Sequence, residues 1–144
     1  RYSDTVKANE VAEHCVDLCF LGDLRNKLAG GLTIGNKKRL EVARSLATGP
    51  KLLLLDESVA GLTSTEVKEM VDVIVRLKEE GVTILMVEHI MEAIMPIADK
   101  IVVLASGKKI AEDSPQAVIN DPTVIKAYFG EKFAQRLRVC EVEQ

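Results

Sequence analysis

In Leu52-Leu53-Leu54-Leu55-Asp56-Glu57, four consecutive leucines are followed by two carboxylates. A short aliphatic run bounded by polar residues is typical of a fully buried strand in a parallel sheet. The two acidic residues stand where such a strand leaves the core. The sequence therefore predicts a buried strand over 51–55 that delivers acid groups to the edge of a sheet.

A second strand is predicted at 82–87, after a helix of about 17 residues. The start of that helix is marked by a capping box of Thr63 and Glu66, and Gly81 marks its end. Strand, helix and strand together make a βαβ unit. The two strands should therefore be parallel and joined by a right-handed crossover.

Polar residues follow both predicted strands, Asp56 and Glu57 after the first and Glu88 and His89 after the second. Ligands of parallel sheets bind beyond the carboxyl ends of the strands, so we expect these four side chains at one edge. Phosphoryl transfer can use such a set, in which one carboxylate holds Mg²⁺, a second carboxylate polarises water and an imidazole lies nearby. The alternative is that they are merely solvated strand ends. His14, on the first helix, is interpreted as an ordinary surface histidine.

The rest of the chain predicts helices and one hairpin. Cys15 and Cys19 are four residues apart on one helix face, and packing is favoured there over a metal site. The predicted elements are helices over 3–20, 36–47 and 90–98, a hairpin of 101–104 with 108–111 around Ser106-Gly107, short helices starting at Ser114-Pro115 and Asp121-Pro122, and a helical tail over 131–144.

Composition narrows the class of protein. The 144 residues are 47% hydrophobic and 28% charged, which is typical of one globular domain. The net charge of −3 argues against nucleic acid as a partner. No apolar run approaches the roughly 18–20 residues that span a bilayer. A start at Arg1 rather than Met favours a fragment of a longer protein.

Three further motifs occur in a fixed order around the leucine strand. Residues 32–36, Leu-Thr-Ile-Gly-Asn, lead into the helix that begins near Lys37. Residues 57–63, Glu-Ser-Val-Ala-Gly-Leu-Thr, follow the strand, and residues 86–89, Met-Val-Glu-His, end the next one. These three motifs resemble the signature motif, the D-loop and the H-loop of an ATP-binding cassette (ABC) ATPase. The leucine strand with its two acids, which lies between the first and the second, resembles the Walker B motif of the same family.

The resemblance implies an α/β fold, the C-terminal portion of a P-loop NTPase-like ABC ATPase with a parallel sheet, flanking helices and part of the helical subdomain. Residues 1–35 would be the end of the helical subdomain. Residues 36–111 would be the core with Walker B, D-loop and H-loop, and residues 112–144 the C-terminal helices.

Within the family, residues 40–48 and 120–130 are most similar to the ATP-binding subunits of branched-chain amino acid importers. Urea and lipopolysaccharide transporter ATPases share much of this pattern and stay as alternatives. An ABC ATPase without a transport role, such as a translation or repair factor, is a further alternative. The resemblance places the protein in the cytoplasm, on the inner face of the membrane, beside transmembrane permease subunits and a second ATPase subunit, in a homodimer or heterodimer.

The family's site residues carry over by motif. Thr33, Gly35 and Asn36 would close over the γ-phosphate of ATP held by the partner subunit. Asp56 would hold Mg²⁺ through water, Glu57 would orient or deprotonate the attacking water, and His89 would contact the γ-phosphate. The residues expected to cross the dimer interface are Ala60, Gly61, Leu62 and Thr63.

This chain departs from the family pattern in several places. Ile34 stands where glycine is common, Ser58 where proline is usual and Thr63 where the D-loop has aspartate. The 144 residues contain no G-x-x-x-x-G-K-[ST] motif, the loop that cradles nucleotide phosphates. The Q-loop is missing as well. We therefore expect negligible hydrolysis by this chain alone and no tight binding of ATP or Mg²⁺.

The G-x-x-x-x-G-K-[ST] motif is called Walker A, and this chain lacks the strand that belongs to it. In the family, that strand would lie beside the strand over 82–87. Its loss predicts an unpaired apolar sheet edge, and such an edge is a template for pairing. The chain should self-associate through that edge or close it with strand 101–104. A non-catalytic interaction module derived from an ABC ATPase is therefore an alternative to the partial transporter ATPase.

Overall fold

A computed structural model of the chain describes residues 4–129. In chain order its elements are α1 (Thr5–Leu18), α2 (Ile34–Leu46), β1 (Leu52–Asp56), α3 (Ser64–Glu79), β2 (Thr83–Val87), α4 (Met91–Ile94), β3 (Ile101–Ala105), β4 (Lys108–Asp113), α5 (Pro115–Ile119) and α6 (Pro122–Phe129). Two short 3₁₀ turns lie between α1 and α2. The chain forms two compact units, Arg1–Ile97 and Ala98–Gln144.

The βαβ unit of the first compact unit confirms the sequence prediction. β1 and β2 are parallel neighbours in register, with Leu54 opposite Leu85, and α3 connects them. The capping box is present, because Thr63 accepts from the backbone of Glu66 and the Glu66 side chain accepts from the backbone of Thr63. Gly81 takes the left-handed conformation at φ +82°, which ends α3 and turns the chain into β2.

The prediction of a fully buried leucine strand is wrong. Leu53 and Leu55 are buried, whereas Leu52 is 52% and Leu54 65% exposed. Side chains alternate between the two faces of a strand, and α3 covers only one face of this two-stranded sheet. An uninterrupted aliphatic run needs cover on both faces to be wholly buried.

The core of the first unit lies between α3, the inner face of the sheet, and helices α1 and α2. Met70, Val73 and Leu77 of α3 are fully buried in it. Cys15 and Cys19 are buried in the same core, as the packing interpretation expected. The Arg76 guanidinium lies 3.9 Å from the centroid of the Phe20 ring, which adds a cation–π contact between α3 and the end of α1.

The second unit contains the predicted hairpin. β3 and β4 are antiparallel around Ser106 and Gly107, which both have positive φ, as a tight hairpin turn requires. Proline begins both α5 and α6, as predicted. The predicted helical tail over 131–144 lies outside the described residues.

Two expectations are corrected. The helix predicted over 90–98 spans only Met91–Ile94, because Pro96 has no N–H to continue the helical ladder. Strand β3 pairs with β4 in a sheet of its own, so within residues 4–129 it does not close the edge of β2. The same part of the chain contains no helix that is long and apolar enough to cross a membrane.

Candidate functional site

The carboxyl ends of β1 and β2 carry the central group of candidate residues. Asp56 is the last residue of β1 and is exposed, and Glu57 follows it in a left-handed conformation at φ +46°. The Glu57 N–H donates to the carbonyl of Val87 at 3.0 Å, which extends the pairing of the two strands by one bond. That bond fixes the point at which the Glu57 side chain leaves the sheet.

Glu57 and His89 come together at this edge, as parallel pairing requires. The Glu57 Oε1 atom lies 4.0 Å from His89 Nδ1, and both side chains are 63% exposed. The distance is that of an ion pair when the imidazole is protonated, and it is too long for a hydrogen bond. Both groups therefore keep hydrogen-bonding capacity for a third molecule at the same edge.

Glu88 holds the turn that follows Glu57. Its Oε1 atom accepts from the Val59 N–H at 2.8 Å and from the Ser58 hydroxyl at 3.3 Å. Its Oε2 atom is buried and has no hydrogen-bond partner within the described part of the chain. The sequence predicts Glu88 at the sheet edge but does not predict this contact. The residue that could have indicated it is Ser58, whose hydroxyl can donate to a carboxylate.

The turn between Glu57 and α3 contains the residues expected at a dimer interface. Val59 is fully buried and Leu62 packs against the core, so this turn is anchored from inside. Gly61 is exposed and needs the left-handed conformation, at φ +76°. Ala60 is half-buried, and Thr63 forms the N-cap of α3.

The Leu-Thr-Ile-Gly-Asn segment leads into α2, two residues earlier than predicted. Thr33 is its N-cap and its hydroxyl oxygen accepts from the Asn36 N–H at 3.2 Å. Gly35 is buried in the first turn, whereas Ile34 is 61% exposed. Free N–H groups and the helix dipole make such a start favourable for an anion.

Two basic residues of α2 connect this segment to the rest of the site. The buried Arg39 donates to Asn36 Oδ1 and pairs with Glu69 of α3 at 3.2 Å. The Lys38 ammonium donates to the backbone carbonyl of Glu57 at 2.7 Å. Sequence reasoning treated both as ordinary residues of the helix, because only tertiary packing brings α2 beside Glu57.

The donors suited to Mg²⁺ are few. Among residues 4–129 there is no cluster of three or more His, Cys, Asp or Glu side chains that could hold a metal. The exposed Asp56 carboxylate is a hard oxygen donor of the kind Mg²⁺ prefers. Protein Mg²⁺ sites often use one or two carboxylates together with substrate phosphates and water, so Asp56 fits a metal that arrives with a nucleotide.

The chain is similar to ATP-binding proteins of ABC transporters. A family model described as "Branched-chain amino acid ATP-binding cassette transporter" matches residues 108–134. The high-affinity branched-chain amino acid transport ATP-binding protein BraF of Pseudomonas aeruginosa is 40% identical over 126 residues, covering 87% of this chain and 49% of BraF. The lipopolysaccharide export system ATP-binding protein LptB of Haemophilus influenzae is 32% identical, covering 86% of this chain and 52% of LptB.

A solved structure supports the same fold. The ADP conformation of an ATP-binding cassette of an ABC transporter superimposes with a TM-score of 0.78 at 30% identity, covering 87% of this chain and 51% of that one. The chain thus spans about half the length of the relatives it matches.

Proposed function

We propose that the chain is the C-terminal part of an ATP-binding protein of a branched-chain amino acid ABC transporter and supplies half of an ATP site that drives solute transport. Branched-chain amino acids are the proposed solute, since the identity to BraF exceeds that to the lipopolysaccharide exporter LptB. The observation that carries the proposal is the Glu57–His89 pair, 4.0 Å apart at the carboxyl edge of a parallel sheet.

In this proposal each residue at the edge has one task. Glu57 orients or deprotonates the attacking water, and His89 contacts the γ-phosphate. Asp56 would hold Mg²⁺, and the metal, when bound, would neutralise charge on the phosphates. The support is chemical, since an exposed carboxylate and an imidazole that lack a mutual hydrogen bond can both bind a third group.

The start of α2 has the complementary task. We assign Thr33, Gly35 and Asn36 to the γ-phosphate of ATP bound to a second ATPase subunit. Ala60, Gly61, Leu62 and Thr63 cross the interface with that subunit. In domain terms, residues 1–35 end the helical subdomain, residues 36–111 carry the motifs and residues 112–144 form the C-terminal helices. The assembled protein lies on the cytoplasmic face of the membrane, against permease subunits.

The chain alone is proposed to be inert. Its 144 residues lack the G-x-x-x-x-G-K-[ST] loop whose backbone N–H groups and lysine hold the β- and γ-phosphates. Calorimetry with Mg-ATP and the isolated chain tests this part. A dissociation constant below about 1 mM, which is a binding free energy more favourable than about −4.1 kcal/mol, contradicts it.

Complementation tests the function itself. The purified chain is mixed with a separately purified half of an ABC ATPase that contains a G-x-x-x-x-G-K-[ST] loop, and phosphate release is followed. We expect activity that Glu57→Gln abolishes and that Glu41→Gln, at an exposed position of α2, leaves intact. Activity that survives Glu57→Gln contradicts the proposed role of Glu57.

A second candidate function, a self-associating module without catalysis, is favoured by the uncovered face of the sheet. Four aliphatic side chains on that face are 52–65% exposed: Leu52, Leu54, Leu85 and Val87. β2 also has a backbone edge on which another strand can pair. Light scattering tests this: we expect a dimer that Leu85→Lys converts to monomer, and a monomeric parent chain contradicts it.

A further inference from the structure

The carboxylate of Glu66 serves two helices. One oxygen, Oε2, accepts from the Thr63 N–H at 3.0 Å and from the Thr63 hydroxyl at 3.0 Å. These two bonds close the capping box at the start of α3 and explain why the sequence pattern is present. They use only one of the two carboxylate oxygens.

The other side of the Glu66 carboxyl group lies against the first turn of α2. A Cβ added to Gly35 would lie 2.6 Å from Glu66 Oε1, 2.8 Å from Cδ and 2.9 Å from Cγ. At the other glycines of the described segment, the nearest such atom is 3.4 Å away, at Gly22. Among the glycines of residues 4–129, Gly35 is therefore the one where the absence of a side chain makes room for a side chain of the neighbouring helix.

The electrostatics of Glu66 agree with this placement. Hydrogen bonds from the Thr63 backbone and hydroxyl are the main causes that lower the pKa of the Glu66 carboxyl group. The backbone of Gly35 and the Thr33 hydroxyl lower it further. Groups at the starts of both α2 and α3 therefore lie near this one carboxylate.

One turn further along, the same two helices are joined again. Arg39 of α2 pairs with Glu69 of α3 at 3.2 Å, and its side chain is only 10% exposed. Residues 35 and 39 are four apart and residues 66 and 69 three apart, so both contacts lie along facing sides of the helices. The relative position of the two helix starts is fixed by two neighbouring contacts.

We propose that Glu66 is a positioning residue that holds the segment Thr33–Asn36 in place against the turn that ends at Thr63. Its importance for ATP rests on the proposed function, in which the first segment contacts phosphate and the second crosses the subunit interface. The contact itself involves residues of this chain alone. A single carboxylate thereby ties the phosphate-facing segment to the interface-facing turn.

Amide hydrogen exchange of Thr63 in the 144-residue chain tests the proposal. Glu66→Ala removes the acceptor, and exchange of the Thr63 N–H should be faster by about fivefold, the factor for one lost hydrogen bond. Gly35→Ala should produce a similar increase, because its methyl group displaces Glu66 from Thr63. The double variant should show no further increase. Glu66→Gln, which keeps an acceptor oxygen, should restore the slow exchange.

Gly31→Ala is the matched control, since a Cβ there meets nothing within 4 Å. If Gly35→Ala leaves Thr63 exchange at the parent rate, or if the effects of the two variants multiply, Glu66 serves only α3 and the proposal fails. Should Gly35→Ala not fold, the Gly35 amide resonance gives the same information: we expect it to shift in Glu66→Ala and to return in Glu66→Gln. An unmoved resonance overturns the proposal. All measurements are made without nucleotide, so failed ATPase complementation leaves them valid.

Discussion

The Lys38 ammonium donates a hydrogen bond of 2.7 Å to the backbone carbonyl of Glu57. The two residues are 19 apart in the chain and belong to different elements, α2 and the turn after β1. Glu57 occupies the left-handed region, at φ +46°, which an L-residue adopts only when its surroundings hold it there. The lysine is one of the groups that do so.

Lys38→Met should therefore loosen the turn after β1. The variant keeps the length of the side chain and loses the hydrogen bond, which is worth about 1 kcal/mol of unfolding free energy. Urea unfolding measures the change. Lys37→Met, at an exposed neighbouring position, is the control and should change stability by less than about 0.5 kcal/mol. Equal losses in the two variants would refute a specific role of Lys38.

Replacing Glu57 by glycine should be less destabilising than replacing it by alanine. Both variants lose the carboxylate. Only the alanine variant still loses about 1 kcal/mol of unfolding free energy, because an L-residue is strained in the left-handed conformation. At Glu41, an exposed position inside α2, the order should reverse, with glycine about 1 kcal/mol worse than alanine. Thermal unfolding of the four variants checks the sign. The same order at both positions contradicts the observed backbone conformation.

Glu112 should make the second unit less stable in acid. Hydrogen bonds from Lys100 and then Lys109 lower the pKa of its carboxyl group from 4.5 to about 2. A lowered folded pKa contributes stability that is complete above pH 4.5 and is lost as the pH falls through about 2. Glu112→Gln should therefore destabilise the hairpin at pH 7 and have little effect near pH 2, by NMR-detected unfolding of residues 101–113. A difference that is constant with pH would contradict this.

Cys19 should resist alkylation in the folded chain. Burial, and secondarily Cys15, raises the pKa of the Cys19 thiol from 9.0 to about 12, against an opposing effect of Arg39. At pH 8 the thiolate fraction falls about 1,000-fold, and the thiolate is the reactive form. Iodoacetamide labelling of a Cys140→Ser variant, with and without concentrated urea, measures this. Rapid labelling of Cys19 without urea would contradict the buried placement.

Local signals in the sequence were sufficient for most elements. The capping box of Thr63 and Glu66, the glycine at Gly81 and the Ser106-Gly107 turn each describe a backbone conformation that neighbouring residues enforce. For the same reason the parallel pairing of β1 and β2 was predictable, since a helix of this length joins parallel strands. The parallel pairing in turn predicts that Glu57 and His89 lie at the same edge of the sheet.

The prediction of strand burial was wrong because burial depends on distant parts of the chain, which a local sequence pattern does not describe. Four leucines in a row indicate a strand, but whether both faces are covered depends on what packs there, and here Leu52 and Leu54 are exposed. The helix predicted over 90–98 ends at Ile94, because Pro96 cannot continue the helical hydrogen bonds.

The order of the motifs and their local conformations follow from neighbouring residues, because capping hydrogen bonds and strand periodicity involve residues close together in the chain. The groups that support the motifs come from distant parts of the chain and depend on tertiary packing. The bond from Lys38 to Glu57 spans 19 residues and the bond from the Val59 N–H to Glu88 spans 29. The Glu66 side chain of α3 lies against Gly35 of α2. Such contacts form where packed elements cross, and the packing of the whole core sets where that is.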